Sequence, residues 1–268
     1  MRHMRQADPI ETAGTDRRAG KPRRKRNVII ANLLIVAGVL LLLTSAGMWG
    51  TAQWRYHEQD KVNRELAEFA EVQDTESNAP KVDWEGLKAV NDEVCGWLQV
   101  PGTTINYPVY QAKDNEKYLR HSAKGEWTLG GQLFSDCDGT RPGMVDELTL
   151  IYGHHLLDGS MFEQIAAMDE QARFDEIDTV WYVTEKAALE CEPLLLYYTQ
   201  PDDQEARHFT FGSSKDFHKY LQERLDRAVT KRKDAAELIK GADRVLTLIT
   251  CNYYDGYGRT VLICVPKK

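Results

Sequence analysis

The sequence predicts a mainly β domain, a barrel or sandwich of about eight strands, set behind one apolar helix. Three observations carry that prediction. Eight short apolar runs, bounded by Gly, Pro, Asn or Asp, recur between Gly96 and Val265, and short strands at that density build barrels or sandwiches. Helical spacing of apolar residues appears at only a few places in the same span. A single run of almost wholly apolar residues, Val28 to Met48, stands apart from all of these near the N-terminus.

Taken in order, residues 1–27 are polar and basic and hold too few apolar side chains to fold. The run from Val28 to Met48 is long enough to cross a bilayer core as a helix, the form in which a chain satisfies its own backbone in lipid. Lys21-Pro22-Arg23-Arg24-Lys25-Arg26 precedes it. Cationic flanks stay on the cytoplasmic side, so the N-terminus is expected inside and the remainder outside. Trp49 and Trp54 follow, where interfacial indoles sit. A cleaved signal peptide, cut near Thr44-Ser45-Ala46, fits less well, because the run exceeds a signal core of about 7–15 residues and its leading tail is long. From Thr51 to Gln73, Val62, Leu66, Phe69 and Val72 have the spacing of an amphipathic helix, and Asp74–Pro80 reads as a linker.

The expected organisation is therefore a cytoplasmic tail (1–27), a single-pass transmembrane signal-anchor (28–48), a helix and linker (49–80) and an extracellular domain (81–268). That domain should open with a short helix over Asp83–Asn91, carrying Trp84, Leu87 and Val90 on one side. The expected strands are Gly96–Val100, Tyr107–Tyr110, Gly131–Ser135, Leu148–Tyr152, Thr179–Thr184, Glu192–Thr199, Val245–Cys251 and Thr260–Val265. A late helix, Lys215–Val229, places Phe217, Tyr220, Leu221, Leu225 and Val229 along one face, and a second short helix is expected over Ala235–Lys240.

Charge narrows the function. The first 26 residues carry nine Lys/Arg and three acids, and the rest of the chain 25 and 38, so a net −7 conceals a strongly acidic outer portion. That balance argues against a nucleic-acid partner; the basic tail suits membrane topology and anionic lipid. The five cysteines form no C-x-x-C pair, which excludes a zinc ribbon or a thioredoxin motif, and an odd number outside the cell leaves at least one thiol unpaired.

Three side chains then stand out. His154 follows the apolar run Leu148–Tyr152 and Gly153. Cys251 ends the run Val245–Thr250, and Arg259 opens the returning run after a loop containing Asp255-Gly256. Paired as a hairpin, these last two runs would bring Cys251 and Arg259 together. A thiol that attacks a carbonyl, an imidazole that handles the proton and a guanidinium that stabilises the oxyanion are the parts of acyl transfer. Singly, each has a plainer reading: Cys251 as a small core residue, Arg259 as a solvated strand end, His154-His155 as a structural pair. A zinc site lacks a second cluster of ligands nearby. Adjacent residues in extended chain face opposite ways, so only one of His154 and His155 should meet Cys251.

The combination is more specific. Tyr152-Gly153-His154-His155 followed by Asp158-Gly159-Ser160-Met161-Phe162, and Thr247-Leu248-x-Thr250-Cys251 with Arg259 eight residues on, resemble the histidine, cysteine and arginine motifs of class B sortases. Gly96-Trp97-Leu98, Gly102–Val109 and Gln111-x-x-Asp114-Asn115-x-x-Tyr118-Leu119 resemble the family's first strands and the segment after them, and the helix at 215–229 resembles its insertion before the cysteine strand. The resemblance covers about Trp84 to the C-terminus. It implies a closed barrel of about eight strands, and a membrane-anchored cysteine transpeptidase with His154, Cys251 and Arg259 as catalytic residues. Asn115, Leu119, Tyr152 and Thr250 would line the substrate groove. It implies an Asn-Pro-x-Thr-like sorting signal of exported proteins as substrate, an amine of a peptidoglycan precursor or of a pilin as acceptor, and no cofactor or metal. Two positions depart from the family: Ile249 stands where many members carry a small hydroxyl residue, and Asn252 where an acid is frequent. A membrane-bound peptidase that only hydrolyses, and a non-catalytic binding module, are the competing expectations.

Overall fold

A computed structural model of the protein describes residues 23–71, 78–251 and 258–268, with side chains from residue 27 onward and excepting that of Cys251. The chain divides into two compact units, residues 1–52 and 53–268. In the first, helix α1 (Arg23–Ala67) begins. Its apolar side chains from Val28 to Met48 point outward all round, Leu42 and Met48 at 72% and 74% exposure. It is the one described helix long and apolar enough to cross a membrane. The amphipathic run expected after it is part of this same helix. No proline interrupts residues 23–67, and Gly47 and Gly50 are carried within continuous helical hydrogen bonding. The helix stops at Ala67, earlier than expected, and Val72 and most of the expected linker lie outside the described residues.

The second unit opens with a two-stranded pairing of β1 (Ala70–Glu71) and β2 (Lys81–Val82) and with α2 (Trp84–Val90). Asp83 caps α2 by accepting from the Gly86 N–H at 3.0 Å. Then come β3 (Val94–Gln99), β4 (Asn106–Tyr110), α3 (Lys117–Arg120), β5 (Leu133–Ser135) and β6 (Leu148–Tyr152). Two short helices, α4 (Glu163–Ala166) and α5 (Gln171–Asp175), lead to β7 (Val180–Val183) and the long β8 (Ala188–Thr199). A 3-10 turn at Gln204–Arg207 precedes α6 (Ser214–Asp226), β9 (Thr230–Lys231) and α7 (Ala235–Gly241). The chain ends on β10 (Val245–Cys251) and β11 (Arg259–Pro266).

The main sheet runs β11-β10-β6-β5-β4-β3-β7-β8, and β8 pairs with β11 again, so eight strands close on themselves. Closure removes the open edges that a sheet otherwise exposes. The pairings β4–β5 and β6–β10 are parallel; the other barrel pairings are antiparallel. One cluster of buried side chains, including Leu98, Ile151, Leu196, Leu246, Leu248 and Leu262, fills the inside together with Phe162, Ile165 and Phe174 of the α4–α5 segment. On the outer face, α6 and α7 cover Leu150, Val245, Ile249, Val261 and Ile263 with Phe217, Leu221, Leu225 and Ile239. Elsewhere Leu66 and Leu87 cover Trp97, Tyr110 and Trp181. Strands buried on both faces explain the nearly continuous apolar runs of β6, β10 and β11.

The eight expected strands are the eight barrel strands, and β6 and β10 agree residue for residue. β8 starts at Ala188 rather than Glu192, because Glu190 and Glu192 turn to Lys267 and Arg232 (2.6 and 2.7 Å) and so sit inside a strand despite their charge. The late helix, expected over Lys215–Val229, spans Ser214–Asp226; it ends three residues early, and Val229 lies beyond it, exposed. Ser213 starts it: its hydroxyl accepts from the Asp216 N–H (3.2 Å) and donates to its carboxylate (2.7 Å). The elements not expected (β1, β2, α3, α4, α5 and β9) have two to five residues each, too few to show a period.

Candidate active site

Two parallel neighbours must end at the same rim of a barrel. β6 and β10 are such neighbours: Tyr152 pairs with Ile249, and the Gly153 N–H donates to the Ile249 carbonyl at 3.1 Å. A Cβ at Gly153 would lie 2.6 Å from both Leu133 and Phe162, so the chain can leave β6 between these side chains only as glycine. His154 comes next on one strand, Thr250 and Cys251 on the other. The antiparallel register of β10 and β11 sets Cys251 directly across from Arg259. Three backbone positions separated by about a hundred residues thus meet at one rim; the Cys251 side chain itself lies outside the described part.

A cleft of about 250 Å³ opens at this rim. His154 and Arg259 line it, with Asn115, Leu119, Tyr152 and Thr250. All described side chains of the expected site therefore come together. His155 instead forms an isolated antiparallel bridge with Met161.

The half-buried His154 ring donates from Nε2 to the Leu119 carbonyl at 2.7 Å. A carbonyl can only accept, so Nε2 holds the proton, and in the neutral ring Nδ1 carries the lone pair. Burial lowers the imidazole pKa. The Leu119 bond works against this, and the positive charges of Arg120 and Arg259 add to it; the net direction is down. Arg259 is half-buried and donates from Nη1 to the Gly258 carbonyl at 3.3 Å. Thr250 is 2% exposed, and its hydroxyl finds no hydrogen-bond partner among the described residues. Such a group costs roughly 1–3 kcal/mol until something pairs with it.

Sequence reasoning missed part of the wall. Phe134, Pro201 and Arg207 also line the cleft. Arg207 grips the fully buried Asp136 with Nε to Oδ2 and Nη2 to Oδ1, both 2.8 Å, and Nη2 also reaches Asp138 at 2.7 Å. The Tyr152 hydroxyl donates to Asp136 Oδ2 at 2.7 Å. Burial alone would push the Asp136 carboxyl upward, but Arg207, the Asp138 N–H, Tyr152 and Asn115 outweigh it and hold the group below the usual carboxylate range. No motif marks Arg207, which ends the short 3-10 turn between β8 and α6; only the closed barrel brings it to the rim.

The remaining thiols are poor nucleophiles. Burial pushes Cys95 and Cys191 up to about 12 and Cys264 well above its usual value, while Cys137 is raised by burial and by flanking Asp136 and Asp138. All four are free cysteines. Asp136, Cys137 and Asp138 bring ligand-type atoms within 4.8 Å of one another, but Arg207 already occupies both carboxylates, so a cation would have to displace a guanidinium.

No family model matches the chain. Sortase B of Listeria monocytogenes is 33% identical over 178 residues, 66% of this chain and 70% of the relative. The solved structure of Clostridium perfringens sortase B is 29% identical, with a TM-score of 0.62 over 69% of this chain and 99% of that one. The structure of sortase B from Bacillus anthracis in complex with AAEK1 is 26% identical, with a TM-score of 0.67 over 80% of this chain and 99% of that one. A closed barrel of the same kind, and identity at this level over most of a relative's length, place the chain in the sortase B family of cysteine transpeptidases.

Proposed function

We propose that this chain cleaves an Asn-Pro-x-Thr-like sorting signal of exported proteins through a thioacyl-enzyme on Cys251, and passes the acyl group to an amine of a peptidoglycan precursor or of a pilin. The observation that carries the reading is the shared rim of β6 and β10, where the backbone of Cys251 faces Arg259 and where His154 lines the same cleft as Arg259.

The chemistry runs in two balanced halves. The Cys251 thiolate gives its electron pair to the threonine carbonyl carbon, and the carbonyl electrons move onto oxygen. Arg259 offers guanidinium N–H groups to that oxyanion. Collapse breaks the C–N bond, and the departing amine takes a proton from His154. Nδ1 is the atom for this transfer, because Nε2 is committed to Leu119. An incoming amine then attacks the thioester, His154 takes its proton back and the thiolate leaves. The lowered pKa of His154 supports a mostly neutral ring at neutral pH, so the thiolate–imidazolium pair is a minor population and turnover is slow. Asn115, Leu119, Tyr152 and Thr250 line the cleft and hold the peptide.

The outward apolar faces of residues 28–48 and the basic cluster before them support a single-pass anchor in the cell membrane, N-terminus cytoplasmic and the catalytic domain (81–268) extracellular. The test is mass analysis of a fluorogenic Asn-Pro-x-Thr peptide after incubation with the protein, with and without triglycine. The account expects a peptide ligated to triglycine. Hydrolysed peptide alone at saturating triglycine would make the chain a peptidase, and intact peptide would leave only a binding role.

A further inference from the structure

One carboxylate holds three walls of the cleft. Asp136 directly follows β5 and is 0% exposed. It accepts the fork of Arg207 (both bonds 2.8 Å), the hydroxyl of Tyr152 (2.7 Å) and the Asp138 N–H (3.0 Å). Asn115 is drawn into the same knot: its Oδ1 accepts from the Cys137 N–H, next to Asp136, at 2.8 Å, and its side chain helps hold the Asp136 carboxyl low. Asn115, Tyr152 and Arg207 all line the cleft. They come from the segment before α3, from the end of β6 and from the 3-10 turn after β8, elements with no sequence proximity.

That turn is itself pinned from the far side. Arg224 of α6 is 1% exposed, stacks on the Tyr220 ring (4.0 Å) and donates to Glu205 at 3.2 Å. Asp203 accepts from the Glu205 N–H at 3.0 Å. Arg207 is thus presented by a turn held at both ends. Nε and Nη2 are committed to Asp136 and Asp138, yet the Arg207 side chain lines the cleft and keeps 33% of its surface exposed, so its guanidinium is within reach of a ligand there. An extended peptide lying there presents backbone carbonyls, which are acceptors for such a donor.

We propose that Arg207 is a substrate-binding residue that donates to a backbone carbonyl of the bound peptide, and that Asp136 is the positioning residue that aims Arg207, Tyr152 and Asn115 together. The inference rests on the function proposed above but adds two residues to it, neither of them part of the bond-breaking group. A consequence is that the network acts on peptide capture. Its loss should raise KM for the peptide and leave thiol reactivity untouched.

The test is steady-state acylation of the full chain, in detergent micelles, by a fluorogenic Asn-Pro-x-Thr peptide with triglycine as acceptor. Alkylation of Cys251 by iodoacetamide is measured in parallel as a readout that needs no peptide contact. Arg207→Gln strands a buried carboxylate and can lose stability for that reason alone. The double variant Asp136→Asn/Arg207→Gln removes both charges and keeps polar partners, so it is the decisive protein, with its thermal midpoint checked against wild type. The expected result is a KM raised about tenfold or more, as for loss of a charge-assisted hydrogen bond, with kcat within about threefold and the alkylation rate unchanged. Wild-type KM in the folded double variant overturns the inference. So does a fall in kcat at constant KM, which would place the network in the chemical step. A wild-type chain that alkylates at Cys251 yet never acylates with peptide overturns the proposed function, and this inference with it.

Discussion

His154 brings two unequal nitrogens to the proposed reaction. Nε2 is fixed by the Leu119 carbonyl, which leaves Nδ1 to exchange the proton. Burial and two nearby arginines lower the ring's pKa, so the acidic limb of kcat/KM for the peptide should fall through a value below about 6.5. The sign follows from the pair. Below that pH both groups are protonated and no thiolate exists. Above it the neutral pair, with its small ionic fraction, persists until the thiol itself ionises. A pH–rate profile checks this; an acidic limb centred above the ordinary imidazole value would contradict it. At this scale the sequence was most informative where residue type is rare and placement strict. His154, Gly153, Cys251 and Arg259 were legible from strand ends and turn signals. Arg207 and Asp136 were not, because a guanidinium at the end of a one-turn 3-10 segment and a carboxylate after a three-residue strand look like ordinary surface charges until the barrel closes on them.

In the proposed function the segment Asn115–Arg120 links binding to catalysis, since it carries the cleft-lining Asn115 and Leu119 and the carbonyl that orients His154. It is held by a close backbone approach. Gly131 has φ +55°, and a Cβ there would lie 1.9 Å from the Tyr118 carbonyl oxygen, while the Gln132 N–H donates to that same oxygen at 3.0 Å. Gly131→Ala should therefore destabilise the protein by roughly 2 kcal/mol or more, read as a lowered denaturant midpoint, and should slow peptide turnover in the fraction that remains folded. An unchanged midpoint would show that the segment is not clamped there. Among the elements, the long strands were readable because burial on both faces gave unbroken apolar runs, as in β6 and β10. The helices α3 to α5 were not, since four or five residues cannot display a 3.6-residue repeat. The single continuous α1 was read as two pieces because its composition changes near Met48 while its backbone does not.

For the whole molecule, the barrel supplies the rim, and in the proposed function the apolar helix supplies location. With substrate and acceptor both held at the membrane, such an anchor would raise their effective concentration without touching the chemistry. A chain beginning at Gln53, where the second compact unit starts, should acylate and ligate peptide in solution within a few-fold of the full protein, yet anchor far less protein to the wall in cells. Equal wall anchoring by the released form would remove this role from the helix. The overall charge pattern and the fold class were legible from the start, since both depend on many residues at once. How the barrel closes, through β8 against β11, depends on pairing between strands some 60 residues apart and left no mark on either strand alone.

The account stands on the acyl group resting on one sulfur at the rim of β6 and β10. Trapping the protein with an Asn-Pro-x-Thr peptide in the absence of amine, digesting it and mapping the added mass tests this most directly. The predicted result is a thioester at Cys251 alone, absent from Cys251→Ala and much reduced in His154→Ala but not in His155→Ala. An adduct on Cys137, whose N–H donates to the cleft-lining Asn115, or an adduct that survives Cys251→Ala, would contradict it.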